Sequence, residues 1–279
     1  MLIHQAKKAC ASISSRLRAR TYLRERPIRT DFPLPDHDGL WLQLLQQSDI
    51  ATDNYTVNKR RFRRWIRDSN YPFSAYVVNR AEKRLEHYVS VELLSLAAGS
   101  LLVDVASGHS PFPAIMRRSG YRVIAQDLAF EPGLHDDRLG GDASRLQLPN
   151  ECADGMTLHC SFEHFEGNSD TRFVIEASRV IKRAGRVVIL PLYLHQEYIN
   201  LTDPLYSKIP VDCDEGASIV GAFGFANRYG RHYALGPFRA RIVEPAIERG
   251  LRVTVVRVRN SESISGKAYL RFALVLTKR

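Results

Sequence analysis

The sequence predicts an α/β fold in which a doubly wound, largely parallel sheet follows a helical N-terminal extension. From residue 101 onward, short apolar runs alternate with stretches of helical periodicity, which is typical of βαβ units with helices on both faces of a sheet. The last two apolar runs, residues 251–258 and 269–277, are joined by the polar stretch "RNSESISGK", which predicts a closing hairpin.

Four apolar runs supply the first strands of this sheet, at residues 101–105, 123–127, 156–160 and 186–190. Helical periodicity marks residues 171–181, with Gly185 after them, and residues 238–248, with Gly250 after them. We place the domain boundary at residue 97. The extension then covers residues 1–96, and the sheet domain covers residues 97–279 with an irregular insertion at 195–236.

Bulk composition excludes several protein classes. Of the 279 residues, 44% are hydrophobic, which is enough for a well-packed core. No run of about 18 apolar residues occurs, so we expect no transmembrane helix, and the start lacks the apolar core of a secretory signal. The four cysteines form no CxxC pair. This argues against a disulfide framework or a metal cluster and favours a reducing, cytoplasmic compartment.

Charge is unevenly distributed along the chain. The net charge is +8 over residues 1–80 (15 basic, 7 acidic), −7 over 81–227 (13 basic, 20 acidic) and +9 over 228–279 (12 basic, 3 acidic). Basic ends can meet nucleic acid, anionic lipid or an acidic substrate, although ordinary surface lysines and arginines give the same totals.

The N-terminal extension is predicted to be helical. Residues 2–24 read as an amphipathic helix, which either touches an anionic membrane at the inner face or packs its apolar stripe on the core or a second subunit. A basic helix follows in "NKRRFRRWIRD", residues 58–68. It resembles a nucleic-acid or phosphate patch, or forms a solvated face over a buried Phe62, Trp65 and Ile66. A longer helix is predicted from about residue 74 to 96.

The run "VDVASGHSPFP", residues 103–113, is typical of a buried strand that enters a loop close to a ligand. Small side chains let a ligand approach the backbone, but Pro111 removes one amide donor, which argues against a dinucleotide pyrophosphate. Asp127 follows Asp104 by 23 residues, near the spacing of a ribose-binding acid. Asp142 lies in a short polar loop and either binds an exocyclic amine or caps a turn.

These runs come in a specific order: "LLVDVASGHSPFP", "VIAQDLAF", "GDASRLQLP", "ADGMTLHCSFEHFEG" and "EASRVIKRAGRVVILPLYL". The series resembles the class I S-adenosylmethionine-dependent methyltransferases over about residues 85–195. The resemblance implies a Rossmann-like, seven-stranded sheet with an antiparallel last strand, which the hairpin at 251–277 would supply. It also implies S-adenosylmethionine as cofactor and S-adenosylhomocysteine as its product.

The resemblance assigns the cofactor residues position by position. The family's glycine-rich loop corresponds to Asp104, Ala106, Ser107 and Gly108, and its ribose acid with the next residue corresponds to Asp127 and Leu128. Its adenine-side acid with the next residue corresponds to Asp142 and Ala143. The tip of its fourth strand corresponds to Cys160, Ser161 and Phe162.

Two alanines depart from the family pattern. Ala106 stands where the family usually has glycine, and Ala184 stands where many members have a second one. Alanine disfavours a positive φ. Affinity for the cofactor is therefore expected to be lowered by Ala106.

Candidate catalytic residues lie in "SFEHFEG", residues 161–167, just past the fourth strand of the family. Methyl transfer needs in-line geometry, a dry pocket and often a base, and in the resembling family this segment faces the transferred methyl group. We predict Glu163 and His164 as catalytic residues, with Glu166 nearby. The alternative is that Glu163 and His164 cap a turn or bond the backbone.

The insertion at 195–236 is the candidate acceptor-binding segment. Its run "NRYGRHYALGPF" mixes aromatic and cationic side chains, which suits stacking on a sugar or bidentate contact with an anionic group. We predict that Tyr229, Arg231 and His232 bind the acceptor. A lid that packs on the sheet is the alternative.

The leading hypothesis is transfer of a methyl group from S-adenosylmethionine to a hydroxyl of a sugar, glycan or related small metabolite. Net basic charge suggests RNA methylation as a rival. A cofactor-binding relative that has lost activity and serves as a partner subunit is a third possibility, because of Ala106 and the undefined base. The spacing of residues suggests no metal ligands.

Overall fold

The computed structural model describes residues 28–203, 206, 211–222 and 224–279, so the predicted helix at 2–24 lies outside the described residues. The helices are α1 (His37–Leu45), α2 (Lys59–Asp68), α3 (Arg80–Leu94), α4 (Phe112–Arg118), α5 (Ser169–Val180), α6 (Leu235–Phe238) and α7 (Glu244–Glu248). The strands are β1 (Ile28–Arg29), β2 (Ala51–Tyr55), β3 (Leu101–Val105), β4 (Arg122–His135), β5 (Arg138–Gly140), β6 (Ala153–His159), β7 (Ile181–Leu190), β8 (Ile199–Thr202), β9 (Ser218–Gly221), β10 (Gly230–His232), β11 (Leu251–Val258) and β12 (Phe272–Lys278).

The main sheet is the predicted doubly wound sheet with one strand added. Its order is β2-β11-β12-β7-β6-β3-β4-β5, and β12 runs antiparallel to both of its neighbours, as the resemblance implies. The remaining pairs are parallel. The eighth strand, β2, comes from the N-terminal extension and pairs in parallel with β11, from Ala51 beside Thr254 to Tyr55 beside Val258. The extension is therefore only partly helical, because β2 completes the sheet.

Each face of the sheet is covered by its own apolar layer. In β3, Val103 and Val105 join a cluster with Phe173 of α5 and Phe238 of α6. Leu102 points the other way, into a cluster formed with α2, α3 and α4. This alternation follows from the two-residue period of a strand. It turns Asp104, like Leu102, toward the α3 layer.

The helices of the extension follow the predicted pattern with shifted ends. In α2, the Asn58 side chain caps the helix by accepting from the backbone N–H groups of Arg60 and Arg61 at 3.1 and 3.0 Å. The helix predicted from residue 74 begins only at Arg80, because residues 74–79 form turns in which Tyr76 has a positive φ of 52°. The C-terminal helix is longer than predicted, since α6 continues through a π-helical turn, Arg239–Val243, into α7.

The insertion at 195–236, predicted to be irregular, contains strands of a second sheet in the order β1-β9-β8-β10. β1 comes from the N-terminal extension and pairs with Ile219 and Val220 of β9. The extension therefore also helps to hold the insertion in place.

Within the described ranges, no helix combines the length and the apolar character that crossing a membrane requires.

Candidate active site

The loop after β3 adopts a left-handed backbone at the carboxyl edge of the sheet. Ala106 and Gly108 have φ angles of 52° and 51°, and a left-handed alanine costs roughly 1–2 kcal/mol. Two bonds to β4 hold the loop: the Ala106 N–H donates to Gln126 Oε1 at 3.2 Å, and the Ser107 N–H donates to the Gln126 carbonyl at 2.8 Å. The backbone thus keeps the glycine-like shape at Ala106.

Asp127 is fixed in the neighbouring strand β4, two residues beyond the last residue of β4 that pairs with β3. Its Oδ2 accepts from the Gly108 N–H at 2.7 Å, and its Oδ1 accepts from the Ala129 N–H at 2.9 Å. A carboxylate oxygen can accept more than one hydrogen bond, so both oxygens retain capacity for a ligand. Leu128, beside it, is 76% exposed. The acid and its apolar neighbour are therefore available where a ribose and an adenine would lie.

Asp104 is buried near the end of β3. It is 1% exposed, and its Oδ1 accepts from Thr157 Oγ1 at 2.8 Å and faces His159 Nδ1 at 3.2 Å. Among the described residues, Asp104 Oδ2 has no hydrogen-bond partner. This buried, unpaired oxygen is the part of Asp104 that could meet a cationic group.

Asp142 caps a short turn. Its Oδ1 accepts from the Ser144 N–H at 2.8 Å at the start of the turn Ala143–Arg145. The side chain is exposed, whereas Ala143 is buried. The capping alternative accounts for one oxygen of Asp142, and contact with an adenine amine stays a prediction.

The tip of β6 presents Cys160 and Ser161. Cys160 has a positive φ of 47°, and its Sγ donates to Glu86 Oε1 at 3.1 Å and lies 3.4 Å from the Tyr269 hydroxyl. Burial, followed by the charge of Glu86, raises the pKa of the Cys160 thiol, which stays protonated. Ser161 is buried, and its Oγ has no partner within the described part of the chain.

Glu163 and His164 lie side by side after this tip. His164 Nδ1 is 2.5 Å from the Tyr229 carbonyl, which can only accept, so Nδ1 carries a proton. In the neutral ring this leaves Nε2 as an acceptor, 3.6 Å from Glu163 Oε1. Burial raises the pKa of Glu163, whose Oε2 has no partner among the described residues. Glu166, the nearby acid of the same segment, pairs with Arg228.

Five further side chains, which the sequence analysis did not select, meet at this place. Lys83 Nζ contacts Glu86 Oε2 at 2.9 Å, and Glu82 lies on the same helix. Although burial opposes it, the Glu86 carboxylate raises the pKa of Lys83. The rings of Tyr193 and Tyr269 lie with centroids 6.4 Å apart at an angle of 24°. We call the whole group the polar cluster; it contains Glu82, Lys83, Glu86, Cys160, Ser161, Glu163, Tyr193, His232 and Tyr269.

Two predicted acceptor residues, Tyr229 and Arg231, bond other groups of the protein. Arg231 is fully buried, and its guanidinium bonds Asp214 at 2.7 and 2.9 Å and the carbonyls of Phe165 and Gly167 at 2.8 Å each. The Tyr229 hydroxyl donates to the same Asp214 at 2.7 Å. The polar atoms of Tyr229 and Arg231 are thus engaged inside the protein, where they hold the insertion, and contact of these two residues with an acceptor stays a prediction.

His232 points away from Arg231, as neighbouring residues of a strand do. Its ring lies 4.8 Å from that of Tyr193 and 5.2 Å from that of Phe32. Burial lowers the pKa of His232 to about 3, so the ring is neutral at ordinary pH. Its Nδ1 lacks a partner in the described ranges. Of the three predicted acceptor residues, His232 alone lies in the polar cluster.

Comparison with known proteins identifies the sheet domain. Residues 103–189, which include Asp104, Asp127, Cys160 and Glu163, match a family model described as "Methyltransferase domain". Residues 103–189 therefore belong to a methyltransferase domain of the S-adenosylmethionine-dependent type. No curated protein matches the chain.

Several solved structures resemble this methyltransferase at low identity. A Burkholderia thailandensis 1,6-didemethyltoxoflavin-N1-methyltransferase is 14% identical, with 89% of this chain and 93% of that chain covered and a TM-score of 0.45. A Pyrococcus horikoshii protein is 15% identical, with 80% of this chain and 100% of that chain covered and a TM-score of 0.49. A protein described as a methyltransferase of an antibiotic biosynthesis pathway, from Anabaena variabilis, is 24% identical with a TM-score of 0.34. This match covers 40% of this chain and 47%, less than half, of the Anabaena variabilis protein.

The residues of the methyltransferase domain fit S-adenosylmethionine, its cofactor. A Cβ added at Gly108 would lie 3.7 Å from Asp127 Oδ2, so the loop and the acid already border one narrow space. Asp127 can take ribose hydroxyls, the exposed Leu128 can cover an adenine, and the unpaired Asp104 Oδ2 can face the ammonium of a methionine tail. In the described residues, no group of three or more His, Cys, Asp or Glu side chains could hold a metal ion.

Proposed function

We propose that this methyltransferase methylates a hydroxyl oxygen of a polyhydroxylated small molecule, such as a sugar or a glycan, with Glu163 as the general base. The observation that carries the proposal is a set of buried polar atoms without partners among the described residues: Ser161 Oγ, Glu163 Oε2 and His232 Nδ1. Each unpaired buried polar atom costs about 1–3 kcal/mol. An acceptor with several hydroxyl groups would satisfy these atoms together.

The aromatic side chains of the polar cluster support the same acceptor class. Tyr193 and Tyr269 offer ring faces, and the His232 ring lies edge-on or tilted to its aromatic neighbours. Binding sites for small molecules combine such apolar surfaces with a few convergent polar groups. A sugar presents both kinds of surface, since its ring carbons are apolar and its rim carries hydroxyls.

Glu163 is placed to receive the proton of the acceptor. When bound, S-adenosylmethionine supplies an electrophilic methyl group on a positively charged sulfur. The acceptor oxygen forms the new bond to carbon as the carbon–sulfur bond breaks, and its proton passes to Glu163 Oε2. Because burial raises the pKa of Glu163, its ionised form is a stronger base than an exposed carboxylate.

His164 is a positioning residue in this scheme. Its bond to the Tyr229 carbonyl fixes the ring and directs Nε2 toward Glu163 Oε1 at 3.6 Å. His164 thereby links the base to the insertion that carries Tyr229.

The test is a methyl-transfer assay with S-adenosylmethionine against free sugars, nucleotide sugars and oligosaccharides. With an acceptor that turns over, Glu163→Gln is expected to lower kcat by about 10²–10⁴-fold, the usual effect of losing a general base, while cofactor affinity is unchanged. Wild-type kcat is expected to rise with pH as Glu163 ionises.

Glu166→Gln is the matched control, because Glu166 lies three residues away and pairs with Arg228 rather than facing the polar cluster. Equal kcat for Glu163→Gln and wild type would remove Glu163 as the base. Calorimetric binding of the cofactor without turnover on any sugar would exclude this acceptor class. Turnover on RNA, or on no acceptor at all, would then support one of the rival hypotheses.

A further inference from the structure

The outer face of α2 carries a row of exposed cations. The helix packs inward through Phe62 and Trp65, whose ring centroids lie 5.3 and 5.8 Å from that of Tyr88 on α3. The basic side chains are exposed to solvent; we call them the arginine face, and they are Lys59, Arg60, Arg61, Arg63 and Arg64. Across the described ranges no salt bridge involves these five side chains, whereas Arg67 pairs with Asp68 at 3.0 Å.

The segment at residues 72–79, which begins four residues after the end of α2, exposes apolar side chains. Phe73, Val77 and Val78 are 76%, 72% and 86% exposed. The guanidinium of Arg80 lies 3.9 Å from the centre of the Phe73 ring and holds a cation beside this apolar segment. Cationic and apolar surface are therefore adjacent over residues 59–80.

Tyr76, in the middle of the apolar segment, points inward. Its ring centroid lies 6.1 Å from that of His87 and 5.8 Å from Lys83 Nζ. This contact anchors the segment on α3, so its exposed valines belong to an ordered surface. It also places the segment next to the polar cluster, to which Lys83 belongs.

We propose that the arginine face and the apolar segment together form a docking surface for an anionic lipid bilayer. Cations near a membrane surface are attracted by anionic headgroups, and exposed apolar side chains gain from entering the boundary between headgroups and acyl chains. Single-stranded nucleic acid is held by arginine together with several flat aromatic platforms, whereas this segment exposes one such ring, Phe73, beside the aliphatic Val77 and Val78. The aliphatic part of the surface thus favours lipid, and this inference is independent of the proposed acceptor.

The experiment is co-sedimentation of the full chain with vesicles of phosphatidylcholine, with or without phosphatidylglycerol. Binding is expected only to the anionic vesicles, and added salt should weaken it because exposed charges are screened. The triple variant Arg60→Gln/Arg63→Gln/Arg64→Gln is expected to bind at least about tenfold more weakly. The matched control is Arg249→Gln/Arg252→Gln/Arg279→Gln, which removes the same charge from exposed positions elsewhere and should bind like wild type.

A second variant tests the apolar contribution at constant charge. Val77→Ser/Val78→Ser is expected to weaken vesicle binding without changing the melting temperature, because both side chains are exposed. The proposal would be overturned if the two triple arginine variants lost vesicle binding equally, or if the valine variant bound vesicles like wild type. Binding to a single-stranded RNA oligonucleotide but not to vesicles would overturn it too. Vesicle binding that neither α2 nor the valines affect would place the contact elsewhere, residues 1–24 being the first candidate.

Discussion

Asp127 is held by backbone N–H groups rather than by another side chain. Gly108 and Ala129 each donate to one of its oxygens, so the carboxylate is positioned before any ligand arrives. Preorganisation of this kind lowers the cost of ordering a side chain on binding.

Replacing Asp127 tests its assignment as the ribose acid. Asp127→Asn keeps the size of the side chain but removes its charge and one acceptor oxygen. We expect the affinity for S-adenosylmethionine to fall by about 1–3 kcal/mol, the value of a hydrogen bond to a charged group. Isothermal titration calorimetry measures it, with the exposed Asp136→Asn as control. An unchanged dissociation constant for S-adenosylmethionine would show that Asp127 does not contribute to cofactor binding.

Glu82 makes the stability of the protein depend on pH. The side chain is buried, its Oε2 accepts from the Tyr269 N–H at 2.9 Å, and burial followed by the charge of Glu86 raises its pKa to about 8 from 4.5. Between these two values the folded protein holds a proton that the unfolded chain has released. Stability contributed by this group is therefore present at low pH and is lost as pH rises through the window.

The variant Glu82→Gln removes this titration while keeping an oxygen that can accept from Tyr269. Wild type is expected to lose more stability than the variant as pH rises from about 4.5 to about 8. Urea unfolding at the two ends of this window measures the difference, with the exposed Glu131→Gln as control. Parallel pH profiles for wild type and Glu82→Gln would show that Glu82 does not titrate in the window.

Ala106 and Ala184 show what the resemblance could predict for single residues. Both occupy family glycine positions, and both keep a positive φ, 52° and 62°. The sequence identified the two positions as unusual. It could not predict whether the backbone would relax, because that depends on contacts such as the bond from Ala106 to Gln126 Oε1.

At the scale of the element, the second sheet depends on one buried cation. Arg231 lies between Asp214 and Asp170, at 2.7 and 2.8 Å. Although burial opposes it, the Arg231 guanidinium lowers the pKa of Asp214. These contacts join β10 to the loop before β9 and to α5, which fixes the insertion on the methyltransferase domain.

Removing the cation is expected to be costly because the buried Asp214 and Asp170 would lose the positive charge of Arg231. The second guanidinium nearby, with Arg241 Nη2, lies 2.7 Å from Asp170 but 3.9 Å from Asp214. We expect Arg231→Met to lower the free energy of unfolding by about 3–5 kcal/mol. Arg228→Met breaks a partly exposed pair with Glu166 and should cost no more than about 1 kcal/mol. Denaturant unfolding compares the two variants. Losses of similar size would mean that the buried network does not hold the insertion.

The predictability of an element follows from its length and burial. β3, β6 and β7 were found because buried parallel strands are continuous apolar runs. The strands of the second sheet escaped detection because β8 and β9 have four residues each and β1 has two, too few to show a period. β2 was not predicted because its sequence, "ATDNY", is largely polar, and the strand lies at the edge of the sheet.

At the scale of the whole molecule, the polar cluster joins side chains that are far apart in the chain. Glu86, Cys160 and Tyr269 meet within 3.4 Å, although more than 70 residues separate each from the next. The sequence could supply candidate cofactor loops, because each lies beside its own strand. It could not predict Lys83 and Glu86, since a charged pair three residues apart on a helix is the ordinary pattern of a solvent-exposed face.

The pairing of β2 with β11 has a consequence for the order in which the protein is made. Residues 51–55 leave the ribosome well before residues 254–258 exist, and at about 5–20 residues per second the wait is on the order of ten seconds or more. During that time the edge of β2 has no native neighbour, and an unpaired edge is open to another chain. The polar "ATDNY" sequence lacks the apolar character of an aggregation-prone strand. The same composition that hides β2 from sequence analysis therefore protects the nascent chain until its last strands are translated.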